Sequence, residues 1–236
     1  MQLTLRDILK VFQVSERTVR NWIDKKQMPC VMANEQYRFN YINLLAWALE
    51  KNIKLTPEIL NLNEAEIEGH ILSNALKRGD VHYDIAGSNR EEVLKAVVDI
   101  LPLPQEMDRQ HLFEMLWARE AMASTAIGGG IAIPHVRNPI VLHIDQPVIT
   151  MCFLKSPIDF KALDRKPVFI LFIVFSPSVK IHLALLARLA FCLQDPKLQD
   201  YLHRRAPREE ILADFLVLEA QVDTYQNGND KGQKKS

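Results

Sequence analysis

Glycine is scarce and clustered. Of eight glycines in 236 residues, three are consecutive at 128–130 and none falls within residues 1–54. Cysteine is scarcer still: Cys30, Cys152 and Cys192 are odd in number, far apart and form no CxxC pair. That excludes a disulfide framework and a paired-cysteine zinc site. Cys152 and Cys192 stand inside apolar runs, as small buried hydrophobes do. Long apolar runs are also missing. The longest, Val168 to Phe175, has eight residues, against the roughly 20 that a membrane helix needs, so it reads as a buried strand. The first ten residues, MQLTLRDILK, have no basic start followed by an apolar run, so no signal peptide is expected. There is no HExxH and no GxxxxGK[ST], and no lysine follows the triple glycine. Neither a metal, a cofactor nor a nucleotide loop is therefore expected. These absences together predict a cytoplasmic protein without membrane insertion.

Net charge is zero, yet the charge is uneven. Residues 1–54 hold nine Lys/Arg against five Asp/Glu, a net +4, and the remainder holds 20 against 24, a net −4. A basic small segment on a mildly acidic large one suggests different partners for the two parts. Four stretches follow: a helical segment at 1–54, a helical connector at 55–75, an alternating helix and strand segment at 76–222, and a polar tail at 223–236 expected to be disordered. In the large segment, Ser88 is expected to cap a helix over NREEVLKAVVDIL, and Asp108 opens a second. GGGIAIPH reads as a turn into a short strand ended by Pro134. PVITMCFL and PVFILFIVF read as strands, KIHLALLARLAFCL as an apolar helix, and 196–205 and 207–220 as two more helices. Strands alternating with helices define an α/β class.

In the first segment, Thr4 is placed to cap a helix carrying Leu5, Ile8 and Leu9. Ser15 caps a second helix, with Val19, Trp22 and Ile23 on one face and Arg17, Thr18, Arg20 and Asn21 toward the other. Two short helices joined by a tight turn form a helix-turn-helix, whose second helix enters the major groove. Tyr37-Arg38-Phe39 reads as a wing strand, and Asn40 as the cap of a helix burying Leu44, Leu45 and Trp47. The pattern VS..TV..W, the apolar-proline step after it and the YRF strand resemble the excisionase and MerR-type winged DNA-binding family over about 50 residues. Many relatives turn out of the recognition helix with Gly where this chain has Lys26. The plainer alternative is a small helical interaction domain. DNA contacts by Arg17, Arg20, Lys25, Lys26 and Arg38 would be salt-sensitive. One module buries little surface, so useful affinity calls for a homo-oligomer or a second module.

The stretch Arg119 to Arg137, REAMASTAIGGGIAIPHVR, carries the chemistry. His135 follows a β-branched strand and a stiff proline, which presents its ring at a strand end. Gly128 and Gly130 allow close backbone approach, and their N–H groups suit phosphate oxygens. Ser124 and Thr125 supply hydroxyls, and Arg119 a planar cation suited to phosphate. His182 lies in the first turn of an apolar helix and needs a partner there. It also fits a plain core role, as Arg119 fits a surface ion pair with Glu120 or Glu114. His70, His82, His111, His143 and His203 default to surface or packing roles.

REAMASTAIGGGIAIPHVR closely resembles the phosphorylation motif of enzyme IIA of the bacterial phosphotransferase system, of the fructose–mannitol and nitrogen-regulatory type. HL.LLA.LA from His182 resembles a second motif of that family. The resemblance spans roughly residues 76–222. It implies an enzyme IIA-like domain, with a mixed sheet flanked by helices, after a small winged helix-turn-helix domain. It further implies His135 as phosphoryl acceptor, His182 as its hydrogen-bonding companion and Arg119 as charge partner. The partner would be HPr or its nitrogen-branch relative. Two functions follow: a phosphocarrier that regulates transcription through its DNA-binding module, or a sugar-transport enzyme IIA passing phosphate to a separate permease component. Gly129 stands where Asn or His is common, Val136 where Gly is common, and Ala123 and Ala126 also replace Gly.

Overall fold

The computed structural model describes residues 2–51, 53–56, 58–61, 69–104, 107–136 and 144–233. The chain opens with β1 (Gln2–Thr4), α1 (Leu5–Phe12) and α2 (Glu16–Lys26). Thr4 forms a capping box with Asp7, and Gln13 ends α1 in the left-handed region. Ser15 restarts the helix by accepting from the Thr18 N–H. The chain leaves α2 at Gln27, φ 53°, one residue after the expected Lys26. Lys26 is the last helical residue, and its carbonyl accepts from Trp47 Nε1 at 2.9 Å. β2 (Val31–Ala33) and β3 (Gln36–Asn40) form the wing through a turn at Asn34 and Glu35, both at positive φ. Paired positive φ matches hairpin twist. The strand order is β1-β3-β2, antiparallel throughout. Asn40 caps α3 (Tyr41–Glu50), which buries Leu44, Leu45 and Trp47. Phe12, Trp22 and Trp47 pack ring on ring at 5.3–6.1 Å and fasten the three helices.

The larger domain follows a short α4 (Glu58–Asn61). Its elements are α5 (Ile71–Gly79), β4 (Val81–Ile85), α6 (Arg90–Ile100), α7 (Arg109–Met122), β5 (Ala126–Gly128), β6 (Ile131–Ala132), β7 (Val148–Ile158), β8 (Val168–Phe175), α8 (Val179–Cys192), α9 (Pro196–His203) and α10 (Arg208–Gln233). The mixed sheet runs β4-β7-β8-β6-β5: β7 and β8 are antiparallel, whereas β4 runs parallel to β7 and β6 parallel to β8. Strand β8 explains the layering. Ile170, Phe172 and Val174 face one apolar layer, shared with α5, α8, α9 and α10. Leu171, Ile173 and Phe175 face the other, shared with α6 and α7. Successive side chains of a strand alternate in this way. Cys152 and Cys192 are buried, and burial pushes the Cys152 thiol up to about 12.

Three sequence expectations change. Asn89, not Ser88, caps α6; the Ser88 N–H and hydroxyl donate to Glu92 instead. Helix α5 begins inside the stretch expected to be connector. It lies against β7 so closely that a side chain at Gly79 would sit 2.1 Å from the Ile149 carbonyl oxygen. His70 supplies no side-chain cap. Buried Glu219 of α10 does so instead, accepting from the N–H groups of Leu72 and Ser73 at 2.7 Å and from the Ser73 hydroxyl at 2.6 Å. Finally, α10 continues to Gln233, past the expected end at 220 and into the polar stretch from 223. Extending an existing helix requires no new nucleus.

The helix-turn-helix module shares its core with the larger domain. Leu44, Trp47, Leu55 and Ile59 belong to the same apolar cluster as Leu185, Leu186 and Leu189 of α8. The Tyr41 hydroxyl donates to the Ile59 carbonyl at 3.0 Å. Gln194, just after α8, accepts from the Leu55 N–H and donates to the Ile53 carbonyl, both at 2.9 Å. A Cβ at Gly128 would stand 3.0 Å from Glu50 Cα.

Candidate functional site

The site forms where β6 and β8 end. The two strands run parallel, and the extended chain after β6 continues beside β8 until the Val174 N–H meets the Pro134 carbonyl at 3.5 Å. His135 is therefore delivered to the C-terminal end of β8. Ser178 caps α8 there by accepting from the Ile181 N–H, and His182 occupies its first turn. The carboxyl ends of parallel strands are where open α/β sheets usually place their chemistry.

His135 is 6% exposed, and its Nδ1 lies 2.8 Å from the Ile133 carbonyl oxygen. A carbonyl only accepts, so Nδ1 carries the proton and Nε2 keeps the lone pair. Burial pushes the His135 pKa down to about 4; the bond to Ile133 opposes this, and the positive charge of Arg119 adds to it. His182 is 3% exposed, with its ring centroid 5.3 Å from that of His135. Burial pushes it down to about 3, with His135 adding to the effect. Among the described residues, neither ring nitrogen of His182 has a hydrogen-bond partner. Both rings are thus held neutral, which leaves Nε2 of His135 nucleophilic near neutral pH.

Arg119 ends α7 with Nη1 donating to the Ala123 carbonyl at 2.7 Å, and its charge reaches His135. Glu120 does not pair with it, as one plain reading had it. Glu120 is buried and is bound by Arg90 at 3.2 Å and by the Thr125 N–H and hydroxyl at 2.9 and 2.5 Å. Ser124 donates to the Phe160 carbonyl at 2.5 Å. Both hydroxyls are therefore already engaged in framing the β5–β6 hairpin. Val136 points into the second apolar layer, so its bulk is buried.

The glycine turn lies elsewhere. The Gly130 carbonyl accepts from Phe169 at the start of β8, whereas Pro134 meets Val174 near its end. Five residues of strand, about 16 Å, separate the two points. Gly128 and Gly130 therefore do not cradle anything at His135. They line a cleft of about 340 Å³ with Leu49, Lys166, Phe169 and His203. All three glycines take positive φ, and the Gly129 N–H donates to Asp164 at 2.9 Å.

On the side of α2 expected to meet DNA, Arg17, Asn21, Lys25 and Lys26 are exposed. Thr18 is half-buried and hydrogen-bonded to the Ser15 hydroxyl. Arg20 pairs with Glu16 at 2.6 Å and lies 5.7 Å over the Tyr37 ring. Arg38 donates to Gln36 at 2.8 Å. Residue reading missed the exposed apolar wing residues Val31 and Met32, 58% and 60% exposed. It also missed Glu120, although that residue stands in the RE pair beside Arg119.

Two family assignments agree with this geometry. Residues 74–216 match the phosphoenolpyruvate-dependent sugar phosphotransferase system, EIIA 2 family, and residues 3–52 match a helix-turn-helix domain family. The chain belongs to the EIIA 2 family and carries an N-terminal helix-turn-helix domain.

A nitrogen regulatory protein of Pseudomonas aeruginosa is 36% identical over 150 residues, 62% of this chain and 94% of that protein. A fructose-specific EIIABC component of Bacillus subtilis is 28% identical over 148 residues, 61% of this chain but 23% of that protein. The crystal structure of nitrogen regulatory protein IIA-Ntr from Neisseria meningitidis superposes with a TM-score of 0.55 at 25% identity, covering 62% of this chain and 99% of that one. Among the described residues no helix is long and apolar enough to cross a membrane.

Proposed function

We propose that His135 accepts a phosphoryl group on Nε2 from a phosphotransferase-system phosphocarrier, HPr or a nitrogen-branch relative. We further propose that its phosphorylation state governs DNA binding by the N-terminal domain. The observation that carries the first part is the His135 ring itself: buried, neutral, and with Nδ1 committed to the Ile133 carbonyl. Phosphoryl transfer asks mainly for positioning and charge neutralisation. Arg119 supplies the charge. His182, buried with no hydrogen-bond partner among the described residues, is a ready donor to a phosphoryl oxygen, which would relieve the roughly 1–3 kcal/mol cost of an unmet polar group.

The second part is supported by the packing of α3 against α8, the helix that bears His182. The matched relatives named as nitrogen regulatory proteins favour regulation. The fructose-specific match favours the transport reading instead, with phosphate passed to a separate permease component.

The test is intact-mass spectrometry after incubation with phosphoenolpyruvate, enzyme I and a phosphocarrier, at mildly alkaline pH. Wild type should gain one phosphoryl group, about 80 Da, and His135→Ala none. Both forms are then presented with genomic DNA fragments at rising salt. A state-dependent, salt-sensitive capture supports regulation. Phosphorylation without DNA capture in either state leaves transport.

A further inference from the structure

We propose that Glu120 is a positioning residue for phosphoryl acceptance, acting on the His135 ring through Thr125 and Ile133. The inference rests on His135 being the acceptor and adds a residue to that reading.

The geometry is an unbroken hydrogen-bonded relay. Arg90 Nη1 donates to one Glu120 carboxylate oxygen at 3.2 Å. The Thr125 N–H and hydroxyl both donate to the other, at 2.9 and 2.5 Å. The Thr125 carbonyl accepts from the Ile133 N–H at 3.0 Å. The Ile133 carbonyl accepts from Nδ1 of His135 at 2.8 Å. Every member from Glu120 inward is buried: Glu120 is 1% exposed, Thr125 5%, Ile133 5% and His135 6%. Water cannot readily substitute for a lost bond there. Pro134 has no N–H, so the next residue offers no competing donor.

The consequence falls on the acceptor nitrogen. In transfer, the donor's P–N bond breaks and its electron pair returns to the donor ring, while the Nε2 lone pair of His135 forms the new P–N bond. One phosphohistidine replaces another, and no proton changes hands, provided that Nδ1 already holds the proton. A His135 ring protonated on Nε2 has no lone pair to offer. The Ile133 carbonyl therefore selects the reactive tautomer, and Glu120 holds that carbonyl's residue in register through Thr125. Outer partners that orient a metal-bound histidine are typically worth about ten- to a hundredfold in activity, and the acceptor histidine should respond on the same scale.

The experiment uses the full chain with ¹⁵N-labelled histidine, in wild type, Glu120→Ala, Glu120→Gln and Thr125→Val, each checked for folding by circular dichroism. The readouts are the His135 tautomer by NMR and the initial rate of phosphorylation by mass spectrometry. Wild type should show the Nδ1–H form. Glu120→Ala should shift the ring toward Nε2–H and slow phosphorylation about ten- to a hundredfold. Glu120→Gln, which keeps an acceptor oxygen for Thr125, should fall between, and Thr125→Val should be slowed severalfold.

A folded Glu120→Ala with the wild-type tautomer and rate overturns the proposal. If Glu120→Ala does not fold, an unchanged tautomer and rate in both other variants overturns it. A tautomer shift in a chain that takes up no phosphate even as wild type upholds the relay and overturns the acceptor reading instead.

Discussion

Lowering the pH from 6.5 to 5 should cost this protein about 3 kcal/mol of stability through two residues alone. His135 and His182 are held to about 4 and about 3 in the fold, against about 6.5 for a free imidazole. As pH falls, the unfolded chain takes up protons first, because its values are the higher ones. The histidine contribution is thus fully present well above pH 6.5 and is lost as pH drops through about 4 for His135 and about 3 for His182. Each full unit well below 6.5 costs about 1.4 kcal/mol per ring, but at pH 6.5 about half of the unfolded rings are already protonated, so the roughly 1.5 units down to pH 5 cost about 1.6 kcal/mol each.

Depressed carboxylates act lower on the scale. Asp80, held down by Arg208, Glu92 by the Ser88 amide and Asp159 by Lys161 lie below the usual carboxylate range. The window from 6.5 to 5 therefore isolates the histidines. Urea unfolding across it should show a steep fall in wild type and roughly half that slope in His182→Gln. Equal slopes in wild type, His135→Gln and His182→Gln would refute the claim that burial holds these rings neutral.

Two further outcomes follow from the packing. Glu219→Ala removes the acceptor of three hydrogen bonds at the start of α5 and the buried carboxylate 3.7 Å from Arg188 Nε. Thermal unfolding should register a loss of about 3–5 kcal/mol, whereas a loss under 1 kcal/mol would mean that the buried carboxylate is dispensable. Gln194→Ala breaks both bonds to Leu55 and Ile53 and should cost about 1–2 kcal/mol. It should also raise protease sensitivity between residues 52 and 70, and unchanged digestion would show that the apolar contact alone holds the domains.

Local signals were legible in the residues, and topology was not. Thr4, Ser15, Asn40 and Asp108 each cap the helix expected of them, because a cap is decided by one side chain and an N–H three residues on. Ser88 and Asn89 compete for one cap, and either side chain suits it. Strand β8 could be read from its apolar run. The glycine turn could not be placed: its N–H groups suit an anion, but the hairpin carries them to the opposite end of β8 from His135. Nor was α5 separable from a connector, since its contact with β7 depends on a residue 70 positions away. The periodic Leu55 and Ile59 marked a helical connector when read alone; in the fold they are core. His135, His182 and Arg119 do converge, yet only the three-dimensional chain of bonds brings Glu120 into the site.

The seat of Gly128 against Glu50 bears on how such a fusion is inherited. A free-standing relative of the larger domain has no α3 to cover the β5–β6 turn or the apolar side of α8. In this chain, losing the N-terminal module would uncover the apolar surface of α8 and the β5–β6 turn, so the two domains are committed to each other.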